Sequence, residues 1–151
     1  MTTQRMALQA WESTELLRSR SVGRICVIDH GFPVAIPINY EVVGNNDDAR
    51  LVERIVIRTA PDTIVGRYEG LGSIEVDDID FESSTAWSVI VRGTIAPTVG
   101  DHDLPDPEPL VDTNRERWMT LSVSAITGRR FAVHRATDGH SVVWRAENAE
   151  R

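Results

Sequence analysis

Lysine is absent. All sixteen basic residues of this 151-residue chain are arginine. Without a lysine amine there is no Schiff base, which excludes a covalent pyridoxal phosphate enzyme. Any phosphate contact must then come from guanidinium groups, hydroxyls or backbone N–H groups. Cysteine is nearly absent: Cys26 stands alone, so no internal disulfide can form, and its place between Ile25 and Val27 reads as a small buried hydrophobe. No apolar run approaches the ~18–20 residues that span a bilayer. The opening MTTQRMALQAW has no apolar core of a secretion signal. The expectation is a cytoplasmic protein with no membrane partner. Positive charge is also lacking: the net charge is -7, which argues against nucleic acid as a partner, since phosphate backbones call for a basic surface. HExxH, a serine nucleophile elbow, GxGxxG and GxxxxGK are all missing, so zinc-protease, serine-hydrolase, Rossmann and P-loop chemistry are set aside. His30, His102, His134 and His140 form no ligand pair and read as solvated. The acidic run Glu75, Asp77, Asp78, Asp80 and Glu82 lacks the glycine and spacing of a calcium loop. It reads as an exposed turn, and no metal is expected.

What is there is β-rich. Hydrophobic residues make up 41% and charged residues 26%, ordinary for one globular domain. The stretch GRICVIDHGFPVAIPINY, from Gly23 to Tyr40, reads as a hairpin. Arg24 to Ile28 form one run, Asp29-His30-Gly31 the turn, and Val34 to Ile36 with Ile38 to Tyr40 the return. The first run is apolar on both faces and is expected to be covered on both. Pro37 cannot donate to a ladder, so the return strand is an edge, is bulged, or leaves a gap. Upstream, residues 1–7 read as a tail and Leu8 to Arg18 as a helix. Ala7, Leu8, Trp11 and Glu15 follow one spacing, and Leu16 and Leu17 extend the apolar stripe; Ser13 and Thr14 interrupt it, so a start at Ser13, with Leu16 and Leu17 packing inward, is the alternative.

Downstream, Leu51 to Thr59 alternates as a strand. A short helix is expected from about Asp62 to Tyr68, followed by strands at Ser73–Val76 and Ala86–Ile95, the latter bulged at Gly93. Asp101 to Pro109 reads as an irregular loop. Arg117 to Ser124 is a further strand. Phe131–His134 and Ser141–Trp144 flank Ala136-Thr137-Asp138-Gly139 as a terminal hairpin. The domain spans 8–146, and 147–151 is a second tail. Six to eight strands with two short helices make a mainly β, barrel-like fold rather than a βαβ one.

Three places could carry chemistry. Arg58-Thr59-Ala60-Pro61-Asp62-Thr63 ends a strand, turns, and opens a helix. It gathers a guanidinium, two hydroxyls and the N–H groups of a helix start, which together suit an anion; the plainer alternative is an arginine bonded to a neighbouring carboxylate. On AWSVIVRG, Trp87, Val89 and Val91 share one face and Ser88, Ile90 and Arg92 the other. Trp87 there is either core or a surface for stacking a ligand. Arg129 and Arg130 point to opposite faces of a strand, so one could reach a phosphate or a partner subunit.

The order SVGRICVIDHGFPVAIPINY, IVIRTAPDT, IEVDDID, WSVIVRG and ITGRR, across Leu8 to Phe131, resembles the pyridoxamine 5′-phosphate oxidase-like family, small flavin-binding split-barrel proteins. The resemblance implies a six-stranded antiparallel split barrel of the FMN-binding type, with flanking helices. It also implies a homodimer with FMN at the interface, touched by both subunits. By the same likeness Pro37, Ile38, Asn39 and Tyr40 lie along the flavin ring, and Arg58 and Thr59 approach the ribityl chain and phosphate. Thr63 supplies a hydroxyl to the phosphate turn, Trp87, Ser88 and Val89 run near the cofactor, and Arg129 and Arg130 form a pair of unassigned role. The implied activity is an FMN-dependent oxidoreductase acting on a small-molecule substrate, with no catalytic acid or base singled out. One departure stands out. Relatives commonly carry glycine and lysine where this chain has Asp62 and Ile64. A lost ionic contact to phosphate is worth about 1–3 kcal/mol, or ten- to hundredfold in affinity. The alternative is therefore a non-catalytic dimer that binds or senses a flavin, a deazaflavin or haem through a degenerate phosphate site.

Overall fold

In a computed structural model of the chain, the described residues are 6–44, 48, 51–99, 103–107, 116–135 and 142–143. The elements are β1 (Met6–Ala7), α1 (Ala10–Arg18), β2 (Val22–Asp29), β3 (Phe32–Asn39), β4 (Glu41–Gly44), β5 (Val52–Thr59), β6 (Gly70–Asp80), β7 (Thr85–Pro97), β8 (Arg117–Ala132), β9 (His134–Arg135) and β10 (Val142–Val143). The main sheet runs β3-β2-β6-β7-β8-β5-β4, with β1 added beside β8. All its pairings are antiparallel. Its strands number eight, two of them very short, so the mainly β, barrel-like expectation holds with a slightly higher count.

The sheet's two edges, β3 and β4, are consecutive in the chain. Tyr40 is the corner between them. No ladder joins the edges among the described residues, so the chain itself closes the barrel and leaves a split. Pro37 sits on the edge strand β3, opposite Arg24; of the three readings of that proline, the edge is the one realised. Tyr40 is 1% exposed. Its N–H donates to Ser21 O at 3.0 Å and its hydroxyl to Leu17 O at 2.5 Å. Burial raises its ionisation far above the ordinary phenol range, with Arg20 opposing and Glu41 assisting, so the hydroxyl stays a donor.

The β2–β3 hairpin forms as the sequence predicts. His30 and Gly31 both have positive φ (49° and 82°), the pair of values that a tight two-residue turn between twisted strands needs. Covering on both faces is not seen within one chain. Ile25 and Val27 point inward and are buried, but Ile28 is 53% exposed and Arg24 faces outward. The period-2 alternation of the strand was masked by apolar residues on its outer side.

Helix α1 begins at Ala10, two residues later than expected, with Gln9 N–H held by Glu12 Oε2 at 2.8 Å. Its buried face is Ser13, Thr14 and Leu17, while Trp11 is 54% exposed. Of the expected stripe, Leu16 and Leu17 pack on the core but Trp11 does not, its place on the buried face being taken by Ser13 and Thr14. Thr14 can be buried because its hydroxyl donates to Ala10 O at 3.1 Å, which removes the cost of an unmade bond. Leu17 is fully buried in the core, worth about 1.5–3 kcal/mol. Leu8 N–H donates to Gly128 O at 3.0 Å, which ties the helix entrance to the TGRR stretch of β8.

Three strands outrun their predicted limits. β6 extends through Glu75, Asp77, Asp78 and Asp80, which therefore lie on a strand and not in an exposed turn; only Glu82, past the strand's end, falls in such a turn. Arg24 on β2 bonds Glu75 at 2.8 Å and Asp77 at 2.5 Å, and Arg20 bonds Asp78. Cross-strand arginines satisfy carboxylates that look unpartnered in the sequence. Asp80 ends the strand, accepting from Glu82 N–H, Ser83 N–H and the Ser83 hydroxyl. β7 reaches Pro97 and carries the expected irregularity, a register shift between Arg92 and Gly93. β8 runs unbroken from Arg117 to Ala132, because β7 pairs along nearly its whole length. The expected terminal hairpin is short, β9 with β10; its turn, Ala136 to Gly139, lies outside the described residues, as do residues 1–5 of the first expected tail and all of the second, 147–151, while Met6 and Ala7, expected in the first tail, pair with β8 as β1. The predicted helix from Asp62 to Tyr68 shrinks to a single 3-10 turn, Val65–Arg67.

Candidate functional site

β5 ends at the barrel corner. Glu41 on β4 faces Val56 on β5, which sets the start of β4 two residues from Arg58. The end of β3 packs against β5. The strand that carries Pro37, Ile38 and Asn39 is thus in contact with the strand that carries Arg58 and Thr59. Ile38 and Tyr40 turn their side chains into the core and Pro37 lies exposed. What Tyr40 and Ile38 can offer a ligand at this corner is backbone.

Arg58 is opposite Trp118 on β8. Its guanidinium lies over the Trp118 ring, 5.3 Å from the centroid, an arrangement that orients the cation on an aromatic shelf. Nη1 donates to both carboxylate oxygens of Asp106, at 2.8 and 2.9 Å. The plainer reading of this arginine, a bond to a carboxylate, is thus realised in the structure, and the acid responsible is neither Asp62 nor any other neighbour in sequence. Asp106 comes from the acidic loop, irregular as expected over 103–107. Asp62 is exposed beside the same turn, and Ile64 packs against the core.

The hydroxyls of Thr59 and Thr63 lie 2.8 Å apart. Thr63 Oγ1 donates to Ala60 O at 2.8 Å and accepts from Gly66 N–H at 3.0 Å. A hydroxyl has one proton. Thr63 has given its own to Ala60, so the bond between the two threonines must use the proton of Thr59. Neither hydroxyl has a proton left for a phosphate in this arrangement; both build the turn. Gly66 completes it, since a Cβ there would overlap the carbonyl oxygen of Ala60. With one 3-10 turn in place of a helix, the expected helix N-terminus is also missing. Tested by its donors, the corner fits an anion through Arg58 once Asp106 gives way.

The remaining candidates lie elsewhere. Trp87 faces Arg130, and Ser88 faces Arg129, at the far end of β8 from Trp118. Residues 118 and 129 are eleven apart, a strand contour of about 36 Å. Trp87 is 8% exposed and belongs to the core, with the Arg20 guanidinium 5.8 Å from its ring centroid. Ser88 is half-buried, Arg129 exposed and Arg130 half-buried, with β1 running alongside the arginine pair. No group of three or more metal-ligating side chains occurs among the described residues. Nor is any helix among them long and apolar enough to cross a membrane. Sequence reasoning missed Trp118 and Asp106. DLPDPEP displayed the acid, but nothing local indicates a partner 48 residues away.

The sequence pattern of the family described as pyridoxamine 5′-phosphate oxidase matches residues 9–130. The chain belongs to that family. Its split-barrel architecture is shared by solved structures. The FAD binding protein from Mycobacterium smegmatis is 28% identical, with a TM-score of 0.61 over 85% of this chain and 99% of its own. A conserved protein of unknown function from Corynebacterium diphtheriae is 24% identical, with a TM-score of 0.67 over 85% and 98%. An FAD and heme binding protein, also from M. smegmatis, is 15% identical, with a TM-score of 0.56 over 80% and 70%. No curated protein matches the chain.

Proposed function

We propose that this member of the pyridoxamine 5′-phosphate oxidase family is a cytoplasmic, flavin-dependent oxidoreductase that holds FMN or FAD between two copies of the barrel and acts on a small molecule. The observation that carries the reading is the corner where β3 passes into β4. It sets an arginine on an aromatic shelf beside the open edge of the barrel, and an FAD-binding neighbour 28% identical shares the fold.

Two copies are part of the reading for a geometric reason. Arg58 faces Trp118 near one end of β8 and the Trp87–Arg130 group lies near the other, with eleven residues of bulged strand between positions 118 and 129. A two-fold partner would bring the far end of one barrel to the corner of the other. The outward Ile28, Phe32 and Leu71, 53%, 72% and 77% exposed, are apolar surface that such a partner would cover.

A bound flavin would supply the hydride or electron chemistry. The chain's own part is to hold and orient it: Arg58 takes the anionic end and the backbone of Pro37 to Tyr40 borders the ring. A second reading, a dimer that binds or senses flavin, deazaflavin or haem without catalysis, is favoured by Asp106 on Arg58 and by the spent threonine protons. The visible spectrum of purified protein separates the two. A flavin spectrum bleached by reduced nicotinamide supports the enzyme. Flavin bound but not reduced by any donor tried supports the binding module. Protein that is colourless and takes up neither FMN nor FAD sinks both. A sedimentation mass near 16.8 kDa, that of one chain, contradicts the dimer.

A further inference from the structure

We propose that Asp106 is a specificity-determining residue, a charge filter at Arg58 that disfavours a dianionic phosphomonoester relative to a phosphodiester or an uncharged ligand. The proposal rests on the flavin reading above and goes beyond it by naming which flavin the corner tolerates.

The argument starts from occupancy. One nitrogen of Arg58, Nη1, donates to both carboxylate oxygens at once, so a phosphoryl oxygen can use that nitrogen only by displacing the carboxylate. A carboxylate and a phosphoryl group cannot share it. Asp106 is also held in place. Pro107 beside it is buried. Displaced from Arg58, the carboxylate therefore stays nearby and repels what replaces it. Asp62, exposed on the adjoining turn, adds a second negative charge to the same corner.

The strength of the filter follows from exposure. The Asp106 side chain is 57% exposed and that of Arg58 26%. An exposed pair of this kind is worth little, so a ligand can open it. Repulsion scales with ligand charge. The terminal phosphate of FMN brings close to two negative charges to Arg58, either phosphate of FAD brings one, and riboflavin brings none. The filter therefore ranks the three by the charge placed at one atom.

The test is fluorescence titration of the full-length protein and the Asp106→Asn variant with riboflavin, FMN and FAD. Asn keeps the shape and removes the charge. The expected result is that D106N binds FMN roughly five- to tenfold more tightly than wild type, FAD about two- to threefold more tightly, and riboflavin equally. In an Arg58→Ala background the same change should give no gain. An unchanged or weakened FMN affinity overturns the proposal, as does an equal gain for all three ligands or a gain that survives Arg58→Ala. If no flavin binds either protein, the flavin reading fails separately. Inorganic pyrophosphate, followed by tryptophan fluorescence, then decides the filter: tighter binding to D106N upholds it, and equal or undetectable binding overturns it.

Discussion

Replacing Tyr40 by phenylalanine separates a structural corner from a ligand contact. The substitution removes one atom from a side chain that is 1% exposed and leaves the ring volume in place, so no cavity term arises. What is lost is the 2.5 Å bond to Leu17 O. That carbonyl lies in the last turn of α1, where the helix offers no donor of its own. A buried acceptor left without its partner costs about 1–3 kcal/mol. Phenylalanine also spares the burial of a hydroxyl, which offsets part of this, so the net should fall near the middle of the lower half, about 1.5 kcal/mol. At roughly 2–4 °C per kcal/mol for a chain of this size, the melting temperature should drop by about 3–6 °C. The assay pairs a thermal melt with an FMN titration on the same samples. Affinity should stay within about twofold, a difference of under half a kcal/mol, because the hydroxyl faces the helix and not the open edge. A variant that melts like wild type but loses FMN would refute the reasoning, since it would show the hydroxyl serving the ligand.

Three further outcomes are expected. Arg58→Ala should weaken FMN binding by about ten- to hundredfold, while Arg92→Ala, on the exposed face of β7, should leave it unchanged; equal affinities in the two variants would remove the assigned corner. Gly66→Ala should destabilise by about 1–3 kcal/mol, because the new Cβ meets the backbone oxygen of Ala60, and that overlap outweighs the few tenths to 1 kcal/mol that alanine gains over glycine in the unfolded chain; a melt at or above wild type would contradict the packing described. Asp78 and Asp80 are held below the ordinary 3.8 by the Arg20 side chain and by the Ser83 hydroxyl, respectively. A depressed acid stabilises the fold above its unfolded value and loses that contribution as the pH falls through the folded one. Glu75, raised chiefly by burial, acts in the opposite sense, favouring the fold once protonated. Asp80→Asn should therefore make the melting temperature fall less steeply below about pH 4, and an acid limb identical to wild type would show that Asp80 adds nothing.

Much of the fold could be read from local pattern. The hairpin turn at His30–Gly31 and the irregularity at Gly93 each depend on neighbours a few residues away, whereas the alternation read at Ile55 and Ile57 failed at Val56, which is buried as fully as they are. The readings that missed share a cause. The helix face was drawn through Trp11 because bulk apolarity outweighed two hydroxyl residues, and Thr14 turned out to satisfy itself within the helix. The acidic run passed for a turn because Arg20 and Arg24, its partners, lie some fifty residues earlier. The short helix after Pro61 was read from a proline and an aspartate, but Thr63 and Ala60 close a tighter turn.

The sequence by itself determined the chemistry available: arginine as the only strong cation, one cysteine, a surplus of acid, and strand-period apolar runs that must close on themselves to bury their inner face. Tertiary structure alone decided which acid meets Arg58, where the threonine protons go, and that the two sheet edges meet at Tyr40. Those outcomes depend on contacts between residues tens of positions apart. Such contacts follow from the register of whole strands, and no local run of residues encodes them.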